Sequence, residues 1–172
     1  MSEASRRFST VVLPHLADAR GLARWLTRDA AEAEDVVQEA CLRALRSIDG
    51  YAGGNPRAWL LAIVRNVAFD RLAERRGRDR MLPVEDADEA GALIAPETPE
   101  SLLSHATAVE RLREATAGLP PLLREAFVLR EVHRLAYREI AAATGVPVGT
   151  VMSRLSRARA RLLAALAGDL DG

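Results

Sequence analysis

Apolar residues recur at helical spacing through almost the whole chain, and no run alternates in the way strands require. That period confines the fold to packed helices. Val36, Val37, Ala40, Cys41, Ala44, Leu45 and Ile48 trace one inward face over about 30–48, and Leu16, Leu22, Trp25 and Leu26 trace another over about 8–27. Asn55-Pro56 reads as an N-cap with proline at the first helical position, opening a third helix to about Arg76. Between about 79 and 97 the period fails, and Pro83, Gly91 and Pro96 punctuate the stretch. Thr98-Pro99 repeats the cap-then-proline signal for a helix through about Ala117; after Leu119-Pro120-Pro121, helices are expected at about 121–132, 136–144 and 148–167. The expected fold is all-α: two small helical domains, 1–80 and 98–172, joined by a flexible acidic linker at 81–97.

Charge follows the same division. The formal net charge is zero, yet residues 1–80 carry a net of +3, residues 81–110 a net of −7 with no basic residue, and residues 111–172 a net of +4. All 24 basic residues are Arg, which grips phosphate in a bidentate fork as Lys does not. A neutral average therefore conceals two basic ends suited to nucleic acid. Cys41 stands alone, so no intramolecular disulfide forms. No apolar run reaches bilayer length, and Pro14, His15, Asp18 and Arg20 interrupt the N-terminal region, so a cytoplasmic protein is expected. His15, His105 and His133 are scattered and no phosphate-cradling glycine loop is present, so neither enzyme chemistry nor a metal or cofactor is expected.

Residues 136–163 carry the strongest local signal. A short helix holding Ile140 and Ala141 inward meets Gly145 at a C-cap, Val146 plugs the corner, and Pro147 starts the next helix: a helix–turn–helix. In the second helix Val151, Leu155, Ala158 and Leu162 share the inner face, with Ser153, Arg154, Arg157 and Arg161 opposite. Residues 148–168 contain four Arg and no acid. A lone basic helix is usually just a solvated face, but the tight turn, the partition and the missing acids coincide here. Together they suit the DNA major groove.

These residues resemble region 4 of the sigma-70 family: Leu119-Pro120 with Arg124-Glu125-Ala126-Phe127-Val128-Leu129, then Tyr137-Arg138-Glu139-Ile140-Ala141, Val148-Gly149-Thr150-Val151 and Ser153-Arg154-Leu155-Ser156-Arg157-Ala158-Arg159. The resemblance implies that the second helix reads the −35 promoter element, with Thr150, Ser153, Arg154, Ser156, Arg157 and Arg161 as its DNA-facing residues. Met152 stands where many members carry Lys or Arg, which puts one familiar DNA contact, and with it the preferred −35 sequence, in question.

The N-terminal half resembles region 2. Asp29 through Leu45, centred on Asp35-Val36-Val37-Gln38-Glu39, is similar to region 2.2; Asp35, Gln38, Glu39, Leu42 and Arg46 form a stripe apart from the core face. In the family this surface docks on the clamp helices of the polymerase β′ subunit, which nominates Asp35, Gln38, Glu39 and Leu42. A solvated face with i,i+4 pairs such as Glu39–Arg43 is the other reading of the stripe. Pro56-Arg57-Ala58-Trp59-Leu60-Leu61-Ala62-Ile63-Val64-Arg65-Asn66-Val67-Ala68-Phe69-Asp70-Arg71, continuing to Arg78, resembles regions 2.3 and 2.4. Those regions melt the −10 element and hold one strand, which implicates Tyr51, Asn55, Arg65, Asn66, Arg71, Arg75 and Arg76. Physically, single-stranded DNA needs an Arg track and a stacking pocket. Seven Arg against three acids over 55–80 supply the track, and the Asp49–Asn55 loop with Tyr51 supplies the pocket wall. Trp59 is read as core.

The resemblance, to the small extracytoplasmic-function (ECF) group, implies as partners core RNA polymerase through its β and β′ subunits, promoter DNA (duplex at −35, single-stranded at −10) and an anti-sigma factor; the sequence names none. The acidic linker is either a tether or a mimic of RNA charge in the polymerase channel, and could also fold back on the basic helix at 148–167. The rival reading is an autonomous helix–turn–helix regulator that binds DNA without polymerase.

Overall fold

A computed structural model describes residues 1–27, 29–79 and 108–168. Every regular element among them is helical: α1 (Glu3–Val11), α2 (Leu16–Thr27), α3 (Ala30–Ser47), α4 (Pro56–Asp79), α5 (Ala108–Ala117), α6 (Pro121–Phe127), α7 (Tyr137–Thr144) and α8 (Val148–Gly168), with short 3₁₀ turns at Leu13–His15 and Ile48–Gly50 and a π turn at Val128–Val132. The expected all-α class is what the structure has. The segment 81–97, and the start of the helix expected from 98, lie outside the described residues. Among the described residues no helix is long and apolar enough to cross a membrane.

Local chemistry sets the helix ends. Asp29 Oδ1 accepts from Ala31 N (2.8 Å) and Glu32 N (3.1 Å), capping α3. Asn55 Oδ1 does the same for α4, accepting from Arg57 N at 3.0 Å and Ala58 N at 3.2 Å. Gly145 adopts φ 72° and its N–H donates to Ala141 O at 2.9 Å, closing α7 as the helix–turn–helix reading requires. One expectation is corrected. The single helix over 8–27 is two helices, because Pro14 has no N–H to donate to the preceding turn; a 3₁₀ turn intervenes, with His15 N donating to Val12 O.

The first half packs α2, α3 and α4 around Leu22, Leu26, Val36, Ala40, Leu60, Leu61, Val64 and Val67. The second packs α6, α7 and α8 around Leu123, Val128, Leu129, Ile140, Val151, Leu155 and Leu162, the last three on the inner face expected of α8. Trp59 packs at the margin of the core, half-buried, as expected, whereas Leu45 faces solvent rather than inward.

The two halves form one continuous apolar cluster. Helix α4 lies against α7, and α2 meets α6 and the π turn. Arg124, buried, crosses the join: its guanidinium donates to Ala117 O (3.0 Å), Leu119 O (2.9 Å) and, at 3.4 Å, to Leu26 O in the last turn of α2. Carbonyls at a helix end lack partners within the helix, so a buried arginine there satisfies groups that would otherwise be stranded.

Candidate promoter and polymerase surfaces

Helix α8 lies on the surface of the second half. Ser153, Ser156, Arg157 and Arg161 are exposed, and Thr150 and Arg154 half-buried at the edges of that face. Arg159, on the same helix, donates to Glu131 Oε1 at 2.7 Å and is thereby held against the π turn. The residues expected to face −35 DNA thus share one helix and one side of the molecule.

The residues expected at −10 are spread along the Ile48–Asn55 loop and α4, and most are already engaged. Tyr51 stacks on Trp59 with ring centroids 5.2 Å apart, and its hydroxyl donates to Gly54 O at 2.8 Å. That bond folds the loop back on itself, which Gly53 (φ 98°) and Gly54 (φ 91°) permit. Arg7 pins the same loop by donating to Tyr51 O at 3.0 Å. Asn55, besides capping α4, donates through Nδ2 to Glu139 Oε2 of α7 at 2.7 Å. Arg71 faces Asp35 at 3.9 Å, and Arg75 pairs with the buried Glu32 at 2.9 Å. Arg76 is half-buried and Asn66 exposed, the latter accepting from Arg65 Nη1 at 3.1 Å.

Arg65 is the most constrained of the set. Its guanidinium lies 4.3 Å over the Phe69 ring and donates through Nε and Nη2 to both carboxylate oxygens of Glu125 in α6. The Glu125 side chain is 1% exposed and that of Arg65 16%. Burial pushes the Glu125 carboxyl above the usual carboxylate range, while Arg65 foremost, and Arg154 with it, pull it back down. One buried acid is therefore sensed by an arginine from each of the two sets expected to face DNA.

His133 occupies a similar position. It is buried against α2, near Asp18 and Gly21, and its backbone carbonyl accepts from Arg57 Nη2. Burial lowers its pKa to about 4; Asp18 opposes the shift and Arg57 adds to it, so the ring is neutral at pH 7. The sequence reading missed Arg57, Arg124, Glu125, His133 and Glu139 as a set. Each looks like an ordinary surface charge within its own helix, and no periodicity reports what a second half will cover.

On α3 the stripe is as expected. Asp35, Gln38 and Leu42 are exposed, and Glu39 is half-buried. Glu39 accepts from Arg43 Nε at 3.2 Å, and Arg43 also donates to Asp70 of α4 at 2.9 Å. With the Asp35–Arg71 approach, two ionic contacts tie α3 to α4. The i,i+4 pair thus coexists with an exposed, leucine-bearing face.

Residues 11–78 match the model of Sigma-70 region 2, and residues 109–162 match Sigma-70, region 4. The chain belongs to the sigma-70 family. Among curated relatives, the ECF RNA polymerase sigma factor EcfG of Rhodopseudomonas palustris is 37% identical over 159 residues, covering 92% of this chain and 84% of that protein. The RNA polymerase sigma-H factor of Pseudomonas aeruginosa is 36% identical over 160 residues, with 90% and 83% covered. The ECF RNA polymerase sigma factor SigE of Mycolicibacterium smegmatis is 39% identical over 143 residues, which span 82% of this chain and 54% of that longer protein. Among solved structures, the sigma factor RpoE of Bartonella quintana, in complex with the anti-sigma factor NepR, aligns over 93% of this chain and 96% of its own, with a TM-score of 0.72 and 29% identity. That likeness includes both halves. CnrH, in complex with the cytosolic domain of CnrY, shares the fold, with a TM-score of 0.64 at 24% identity. The region 2 match thus takes in α2–α4 and the region 4 match α5–α8 up to Leu162, in an ECF sigma factor.

Proposed function

We propose that this sigma factor binds core RNA polymerase through the Asp35, Gln38, Glu39 and Leu42 face of α3, holds melted −10 DNA along the loop and α4, and reads the −35 duplex with α8. It supplies recognition; catalysis belongs to the polymerase. The observation that carries the reading is the pairing of region 2 and region 4 in one chain, with an Arg-bearing, acid-free helix exposed in the second.

Distances give the reading a mechanical consequence. The −10 and −35 elements, by their numbers about 25 base pairs apart, are separated by about 85 Å along B-form DNA at about 3.4 Å per pair. A packed globule of this length has a radius of gyration of only about 16 Å. With α4 against α7, the two DNA-facing surfaces fall tens of ångströms short. The halves must part for both elements to be held, and a chain of 28 residues, the number from 80 to 107, can span at most about 100 Å. Parting also frees Arg65 and Asn55 from Glu125 and Glu139. The packed form is therefore read as a storage state, and core polymerase as the agent that stabilises the open one. RpoE carries an anti-sigma factor in its solved structure, and an anti-sigma partner for this chain would act by favouring one of these arrangements.

The test is promoter binding by the purified chain, by core polymerase, and by both. A sigma factor gives a specific complex only with both present. An autonomous regulator binds its site alone with full affinity, and that outcome would overturn the proposal.

A further inference from the structure

Helix α8 bears two exposed apolar side chains one turn apart, Val148 (37% exposed) and Met152 (53% exposed). They lie beside Ser153 and Ser156, at the N-terminal end of the helix, where a groove-inserted helix reaches base edges. Neither side chain is part of the apolar cluster that binds the two halves together. Gly149 lies between them. A Cβ there would meet nothing within 4 Å and its φ is not positive, so neither packing nor backbone geometry calls for glycine. Without a side chain, this first-turn position leaves the backbone open to close approach by an external surface. That surface is anionic, because residues 148–168 offer four Arg and no acid.

An apolar side chain in a polar, Arg-rich groove contact has one base-edge partner, the C5-methyl of thymine; guanine, adenine and cytosine present only donors and acceptors there. We propose that Met152, flanked by Val148, reads a thymine methyl in the −35 element, so that thymine is specified at a position where a basic side chain would select a guanine or a phosphate. Methionine suits such a contact because it is unbranched, polarizable and able to follow a methyl without a fixed hydrogen-bond geometry. The inference rests on α8 lying in the −35 major groove.

The experiment uses holoenzyme assembled from the full chain and bacterial core polymerase. The −35 duplex is first selected from a random library, and each thymine of the winner is then replaced by deoxyuridine, which removes the methyl and leaves the pairing edge intact. Burial of one methyl predicts a loss of promoter occupancy of about fourfold at the sensed thymine. Met152→Ala should lower occupancy of the thymine promoter by a similar factor and become indifferent to deoxyuridine at that position. No sensitive thymine, or a Met152→Ala variant with undiminished sensitivity, would overturn the proposal. A loss on every template alike, deoxyuridine included, would also overturn it and assign Met152 to a protein contact. Arg157→Ala, run in parallel, separates the two levels. If it weakens −35-dependent binding while deoxyuridine is silent, only the methyl reading falls. If it leaves −35 dependence intact, α8 does not face the element and both fall.

Discussion

Replacing Arg65 by alanine removes the base from a salt bridge that joins the two halves, and the consequence follows from how thoroughly Glu125 is buried. The Glu125 side chain is 1% exposed beside Arg65, and breaking such a buried pair by removing one partner costs about 3–5 kcal/mol. The acid has one way to reduce that cost, which is to take a proton. From an ordinary glutamate value near 4.5, protonation at pH 7 costs about 3 kcal/mol and at pH 5 less than about 1 kcal/mol, at 1.36 kcal/mol per pH unit. The smaller figure governs, so Arg65→Ala should lower the closed-to-open ratio by about three-hundredfold at pH 7 and only about threefold at pH 5. The sign is consistent with linkage. Glu125 has a raised value in the closed form, so its contribution to closure is fully present below the unfolded value and lost as pH rises through the folded one. Removing Arg65 raises that value further and steepens the dependence. Energy transfer between dyes at the exposed positions Arg46 and Ala164 measures the ratio directly, and Glu125→Gln controls for packing by keeping the volume without the charge. An Arg65→Ala variant that stays closed at pH 7, or that opens equally at pH 5 and pH 7, would refute the burial argument.

Three further outcomes are expected. Gly145→Ala should destabilise the protein by about 1–2 kcal/mol, read from urea denaturation, because φ is 72° while a Cβ meets nothing, leaving a backbone cost alone. Asp29→Ala removes two capping bonds from α3 and should cost about 1 kcal/mol in the same assay, with Asp29→Asn recovering most of it. Leu42→Asp, at an exposed position, should change stability by less than about 0.5 kcal/mol yet reduce affinity for core polymerase at least tenfold in a binding titration; unchanged affinity would remove α3 from the docking surface.

Much of this architecture was legible from residue order because a helix records its buried face in its own period. Val151, Leu155, Ala158 and Leu162 are buried as the spacing requires, and Gly145 has the positive φ that the turn requires. The break at Pro14 was hidden because apolar residues continue on both sides of it, at Leu13 and Leu16. Glu125 and His133 were illegible for a different reason. A polar residue in or just after a short helix looks solvated until another segment covers it, and here the cover comes from α4 and α2, at least 60 positions away in the chain. The same join explains why Arg65 and Asn55, both expected at the −10 surface, are held by the opposite half. Residue order assigned them to a surface, and packing decides when that surface is open.

Run-off transcription shows in one assay whether this chain directs polymerase to promoters. Bacterial core polymerase with the purified chain, supplied with a library of genomic promoter fragments, should give discrete products whose start sites share paired −10 and −35 sequences. Core polymerase alone should give none. Products that are the same with and without the chain, or none at all despite demonstrated binding to core, would contradict the account.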